Sequence, residues 1–140
     1  MSQIEALTVE LKVDDRLLLF IMLSADGGVN RLGSGTLNTS ETSFYIGQAD
    51  DRMFRELLPY VDEGWLDRPG DYTARQRKGQ DCSLTMVFLA GSEQAEIRYF
   101  YGSESEGPPR DIRDFVYAAI DVTQAWYEEQ QRMAGKTDSD

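Results

Sequence analysis

The first part of the chain alternates apolar and polar residues as an antiparallel sheet does. Residues 6–13 carry apolar side chains at every second position, which is the period of a strand with one wet face. The unbroken apolar run 17–23 predicts a buried strand. Turn-forming residues at 14–16 and 26–28 separate these strands from each other and from a return segment. A further short strand is predicted over 43–46.

The second part changes to a helical period and then returns to strands. Residues 49–62 carry apolar side chains three and four positions apart, which predicts a helix with one apolar face. Pro59 should kink or break that helix because proline removes a backbone hydrogen bond. Two alternating segments, 82–90 and 95–101, predict a hairpin, and the apolar positions of 109–132 predict a long final helix.

This order of elements predicts an α+β fold. We expect a mostly antiparallel sheet of about five or six strands with two helices on one face, in the order β-β-β-β-α-β-β-α. Residues 1–134 should form a single domain, and the acidic residues 135–140 a frayed tail. The longest apolar run has seven residues, too short to cross a bilayer as a helix.

The composition excludes several kinds of catalytic and metal site but does not identify an activity. The 140 residues include 25 acidic and 14 basic side chains, giving a net charge of −11, and there is no histidine. Zinc sites built on imidazole and Ser-His-Asp triads are therefore excluded within one chain. The single cysteine, Cys82, excludes an intrachain disulfide, and Asp81 beside it should raise the pKa of its thiol.

A glycine-rich return segment raises the question of a phosphate-binding loop. No Gly-Lys-Ser/Thr sequence or helix start follows Gly33 and Gly35, so a bulged strand or a close backbone approach is the better interpretation. Asn30 and Arg31 remain ligand candidates, since the guanidinium of Arg31 can hold a carboxylate or phosphate. A solvated arginine at a sheet edge is the more ordinary expectation.

The segment from the last strand to the final helix is the leading site candidate. It combines Tyr101, the alternate carboxylates Glu104 and Glu106, and Arg110 at the start of the helix. Paired carboxylates serve in acid–base catalysis or bind hard cations. A polar turn before a helix has the same composition, so a purely structural loop stays open as an alternative.

The irregular segment 67–79 contains the basic cluster of this acidic chain. Arg75 and Arg77 share a face if the segment is extended, and Lys78 follows them. The cluster could receive an anionic ligand or an acidic patch on a partner, including a second copy. Solvated side chains that balance nearby carboxylates are the alternative.

Taken together, the sequence favours a cytoplasmic, non-catalytic protein-interaction module that binds a basic partner or associates with itself. Neither a cofactor nor a metal is expected, and neither nucleic acid nor membrane is an expected partner of so acidic a chain. The alternative is a small-ligand site or a carboxylate-based enzyme around residues 102–110.

Overall fold

The computed structural model describes residues 4–33, 44–76, 78–105 and 107–138. Within them the chain forms seven strands and three α-helices. The strands are β1 (Ala6–Val13), β2 (Arg16–Ser24), β3 (Gly28–Leu32), β4 (Phe44–Gln48), β5 (Gly70–Thr73), β6 (Asp81–Ala90) and β7 (Glu93–Gly102). The helices are α1 (Arg52–Leu57), α2 (Glu63–Leu66) and α3 (Arg110–Asp138), and a 3₁₀ turn, Leu58–Tyr60, follows α1.

All seven strands belong to one sheet, in the order β4-β3-β2-β1-β6-β7-β5. Neighbours are antiparallel except β5, which runs parallel to β7. The α+β class is thus confirmed. Two elements exceed the prediction, namely the edge strand β5 and the one-turn helix α2.

Turns and close approaches occur where the sequence indicates them. Asp14 and Asp15 both have positive φ, 51° and 64°, and form the tight turn between β1 and β2. Gly33 has φ of 76°, and a Cβ there would lie 2.0 Å from the carbonyl oxygen of Leu18. The predicted close backbone approach therefore exists at Gly33, while Gly35 lies outside the described residues.

One face of the sheet carries the core. Leu7 and Val9 of β1 pair with buried apolar residues on β2 and on β6, and all of them face the helices. From α3, Ile112 and Phe115 pack onto this face and are almost completely buried. The ring of Phe115 meets that of Trp65 edge-on, with centroids 5.6 Å apart. Helix α1 also contributes buried residues to this core, so the prediction that both predicted helices cover one side of the sheet is confirmed.

The helical boundaries show the expected break at Pro59. Helix α1 ends at Leu57, and Pro59 lies in the 3₁₀ turn that follows. Trp65 folds back on the core, where it is 5% exposed and its Nε1 donates to Asp111 Oδ2 at 3.1 Å. At the other end, α3 continues past Arg132, the predicted end, so the frayed tail stays a prediction and residues 139–140 are not described.

Arg31 is not the solvated edge arginine that the sequence suggests. It shares the inward face of β3 with Val29 and is 0% exposed beneath α3. Its Nε donates to the Gly33 carbonyl at 2.9 Å, and its Nη1 donates to Thr123 Oγ1 at 2.8 Å. The guanidinium lies 4.4 Å from the ring centroid of Tyr127. The side chain therefore joins β3 to α3 inside the core and is not available at the surface.

No helix in the described ranges has both the length and the apolar character needed to span a bilayer.

Candidate functional site

Two of the loops singled out by sequence meet in one cleft at the β5 edge of the sheet. We call it the edge cleft: a cavity of about 590 Å³ between residues 72–76 and 78 on one side and residues 99–101, 104–105 and 107–109 on the other. Tyr101, Glu104 and Arg75 all line it. Its size lies in the range of small-ligand pockets, about 300–1,000 Å³. The structure therefore brings together three predicted residues that are up to 29 positions apart in sequence, from Arg75 to Glu104.

Backbone pairing holds the two loops against each other. The Glu104 amide donates to the Lys78 carbonyl at 2.9 Å, and the Ser103 amide donates to the Gln80 carbonyl at 2.9 Å. The Ala74 amide donates to the Phe100 carbonyl at 2.8 Å, which continues the parallel pairing of β5 with β7. Strand β5 thus places the basic segment against the end of β7 and the loop that follows it.

The wall of the edge cleft is aromatic and its rim is charged. The rings of Tyr72 and Tyr99 stack with centroids 5.1 Å apart and an 18° angle between planes. Arg75 and Lys78 are exposed on one side, and Glu104 is exposed on the other. Among the described residues, Glu104 is the one carboxylate that lines the cleft. The described structure therefore shows one member of the carboxylate pair that acid–base catalysis would need.

Tyr101 is the residue of the edge cleft with the most perturbed acid–base chemistry. Burial, followed by the proximity of Cys82 and Tyr117, raises its pKa to about 12. Burial also raises the pKa of Tyr99, with Tyr72 and Asp111 as smaller causes. Both phenols are protonated at neutral pH, so each can donate a hydrogen bond and neither can act as a base there.

The raised pKa of Tyr101 predicts a loss of stability at alkaline pH. Its phenol ionises near pH 10 in the unfolded chain but near pH 12 in the fold. The contribution of the protonated Tyr101 phenol to the free energy of unfolding is therefore fully present below pH 10 and is lost as the pH rises to 12. Urea unfolding should show a fall in the unfolding free energy over this interval that Tyr101→Phe reduces. Tyr60→Phe, at a phenol 51% exposed, should leave the fall unchanged; equal curves for both variants would refute the assignment.

The other predicted site residues that the structure describes lie outside the edge cleft. Arg110 is exposed at the first turn of α3 and does not line the edge cleft. Asn30 lies on the opposite face of the sheet from Arg31, level with Met22 on β2 and Ile46 on β4. Glu106 and Arg77 lie outside the described residues.

The pKa of the Cys82 thiol is raised, as the sequence predicts, but burial contributes more to the shift than the neighbouring Asp81 does. Burial raises the pKa of its thiol, and Asp14 and Asp81 raise it further. The side chain is 6% exposed. A nucleophilic role is accordingly disfavoured. No group of three or more metal-ligating side chains occurs in the described part of the chain.

A second surface, which the sequence did not single out, lies on the open face of the sheet, opposite the helices. We call it the β4 patch: five apolar side chains on three neighbouring strands, Phe20, Met22, Leu32, Phe44 and Ile46. Ile46 is 71% exposed and Phe44 43% exposed. The rings of Phe20 and Phe44 lie 5.9 Å apart on either side of Leu32. Asn30 lies between Met22 and Ile46 as the one polar side chain among these five. A mostly apolar exposed surface of this kind marks an interaction site.

The signal for the β4 patch is present in the sequence. The apolar run 17–23 is continuous, but successive side chains of a strand point to opposite faces of the sheet. Because the helices cover one face only, about half of the side chains in this run must lie on the open face. In β4, Phe44 and Ile46 alternate with Tyr45 and Gly47, which leaves no charged residue on either face.

No known protein family matches the chain, and no curated protein matches it significantly in sequence. The edge cleft and the β4 patch are therefore interpreted from their own chemistry.

Proposed function

We propose that the chain is a non-catalytic protein-interaction module that binds its partner through the β4 patch. The observation that carries the proposal is the exposure of Ile46, 71%, on an uncharged edge strand beside Phe44. Burying such side chains against a partner contributes about 25 cal/mol per Å² of apolar surface. Large apolar side chains at the centre of an interface carry much of the binding energy.

Charge restricts the kind of partner. With a net charge of −11, the chain repels phosphate backbones and attracts basic proteins at long range. The partner is therefore a basic protein or a second copy bound through the uncharged patch, and not nucleic acid. The single, buried Cys82 suits a reducing compartment, which supports the cytoplasm as the proposed site of action.

Site-specific photocrosslinking in the native cell tests this function. A photoreactive amino acid at Ile46 should give a discrete crosslinked protein product because that side chain lies at the interface. The matched control is Tyr117, 63% exposed on α3, which should give none. Equal products from both positions, or no product from Ile46, would refute the β4 patch as the binding surface.

The edge cleft supports a second candidate function, the binding of a small anionic ligand. The supporting observation is the convergence of Arg75, Tyr101 and Glu104 around one cavity. A guanidinium at the rim can bind a carboxylate or phosphate, and the Tyr72–Tyr99 pair offers an aromatic wall. NMR titration with small anionic metabolites separates the two functions: ligand binding should be lost in Arg75→Ala and kept in Ile46→Lys.

A further inference from the structure

The register of β4 shows which of its backbone groups face outward. The Ala49 amide donates to the Gly27 carbonyl at 2.8 Å, and Val29 pairs with Gly47. Because amide direction alternates along an antiparallel strand, Tyr45 and Gly47 point their amides and carbonyls toward β3. Those of Phe44, Ile46 and Gln48 point away from β3. In the described structure β4 pairs with β3 alone, so these outward groups form an open edge.

This edge lacks the features that protect most sheet edges. Natural edge strands are blunted by charged residues, by proline, by bulges or by very short length. Strand β4 has no charged residue and no proline, and its pairing with β3 is regular throughout. The opposite edge, β5, has four residues, and its Asp71 forms an ion pair with Arg98 at 2.9 Å. Of the two edges, β4 is the one suited to pair with another strand.

We propose that β4 pairs in an antiparallel manner with β4 of a second copy, about a twofold axis at Ile46. This inference rests on the proposed function, names its partner, and places the contact at the β4 border of the β4 patch, where Ile46 lies, and not over the patch residues of β2 and β3. In this register Ile46 lies opposite Ile46, and Phe44 lies opposite Gln48 of the second copy, so every outward amide and carbonyl of the strand is paired. Centring the axis on Tyr45 or on Gly47 leaves some of those groups unpaired.

Symmetry favours a second copy over an unrelated strand, and the absence of charge on β4 limits the electrostatic cost of bringing two copies together. An antiparallel edge is self-complementary, and a twofold interface uses both β4 edges, so that the shorter, ion-paired strand β5 lies at each end of the joined sheet. Each chain carries −11, yet the paired strands contribute no charge, so repulsion acts only between more distant groups. Pairing of two copies should therefore tighten as salt screens that repulsion, whereas binding of a basic partner should weaken.

Sedimentation equilibrium of the full chain across a range of concentration and salt tests the pairing. The wild type is expected to form a dimer that strengthens with salt. Ile46→Lys places like charges opposite each other and should weaken the dimer at least about tenfold, the equivalent of about 1.4 kcal/mol. The control is Leu89→Lys, which changes an exposed apolar residue on the interior strand β6 (38% exposed) and should dimerise as the wild type does. Unchanged circular dichroism confirms that both variants fold, and melting temperatures are compared at a protein concentration at which the wild type is monomeric.

A disulfide reports the register. In a hydrogen-bonded antiparallel pair the Cα atoms lie about 5.5 Å apart, within the range that a disulfide spans. Under mild oxidation Ile46→Cys should give a covalent dimer, and Leu89→Cys should stay largely monomeric. Native Cys82 is buried and adds little background.

The results separate failure of the pairing from failure of the proposed function. A monomeric wild type at high concentration and salt, a dimer that survives Ile46→Lys, or the absence of an Ile46→Cys disulfide in a dimer would each overturn the pairing. If a different protein still crosslinks at Ile46, the interaction function stands without it. If nothing crosslinks there either, both are wrong.

Discussion

Replacing Phe115 with alanine should lower the free energy of unfolding by about 4 kcal/mol. Phe115 is 0% exposed, and its ring contacts those of Trp65 and Phe88 with centroids 5.6 and 5.9 Å away. Truncation removes this apolar contact and leaves a cavity between α3 and the sheet, and the hydrogen-bonded strand β6 cannot move to close it. Urea unfolding at neutral pH measures the loss.

A residue on the same helix supplies the control for Phe115. Tyr117 is 63% exposed, so Tyr117→Ala should change the unfolding free energy by no more than about 0.5 kcal/mol. A similar loss for the two variants would mean that α3 does not pack on the sheet through the Phe115 face.

Arg31→Ala should cost about 3 kcal/mol of unfolding free energy. The substitution empties a buried volume beneath α3. It also removes the donors to the Gly33 carbonyl and to Thr123 Oγ1, and the guanidinium that covers the Tyr127 ring. Arg31→Lys should recover only part of the loss, because an ammonium group cannot reproduce the planar fork of donors. Urea unfolding again provides the measurement.

Arg98 offers a matched comparison for Arg31. It is also an arginine on a sheet strand, but its side chain is 44% exposed and its partner is Asp71. Exposed ion pairs contribute little, so Arg98→Ala should cost no more than about 1 kcal/mol. If both arginines gave the same small loss, Arg31 would not be the link between β3 and α3 that the fold shows.

The strands that sequence predicted well are those whose burial follows a local pattern. β1, β6 and β7 each alternate apolar and polar side chains. Each pairs with a strand that is its neighbour in the chain or that also contributes apolar side chains to the core. Strand β5 was missed because its four residues are all exposed and its partner, β7, lies more than 20 residues away. Nothing in Gly70–Thr73 itself records that pairing.

The long-range pairing of β5 with β7 also limits how far the sites can be predicted from the sequence. Tyr101, Glu104 and Arg75 were each recognisable as candidates, but their meeting depends on β5 lying parallel to β7. Arg31 was misjudged although a signal existed, since it shares the parity of Val29, a buried residue. A charged side chain at an inward position was a reason to expect burial with partners, not solvation.

Residue-resolved amide hydrogen exchange along β4 tests most directly whether this edge is where the chain associates. The Ile46 amide points away from β3, whereas that of Gly47 points toward it. Raising the protein concentration should slow exchange at Ile46 and leave Gly47, which is protected in both states, unchanged. Rapid exchange at Ile46 at every concentration would contradict the account.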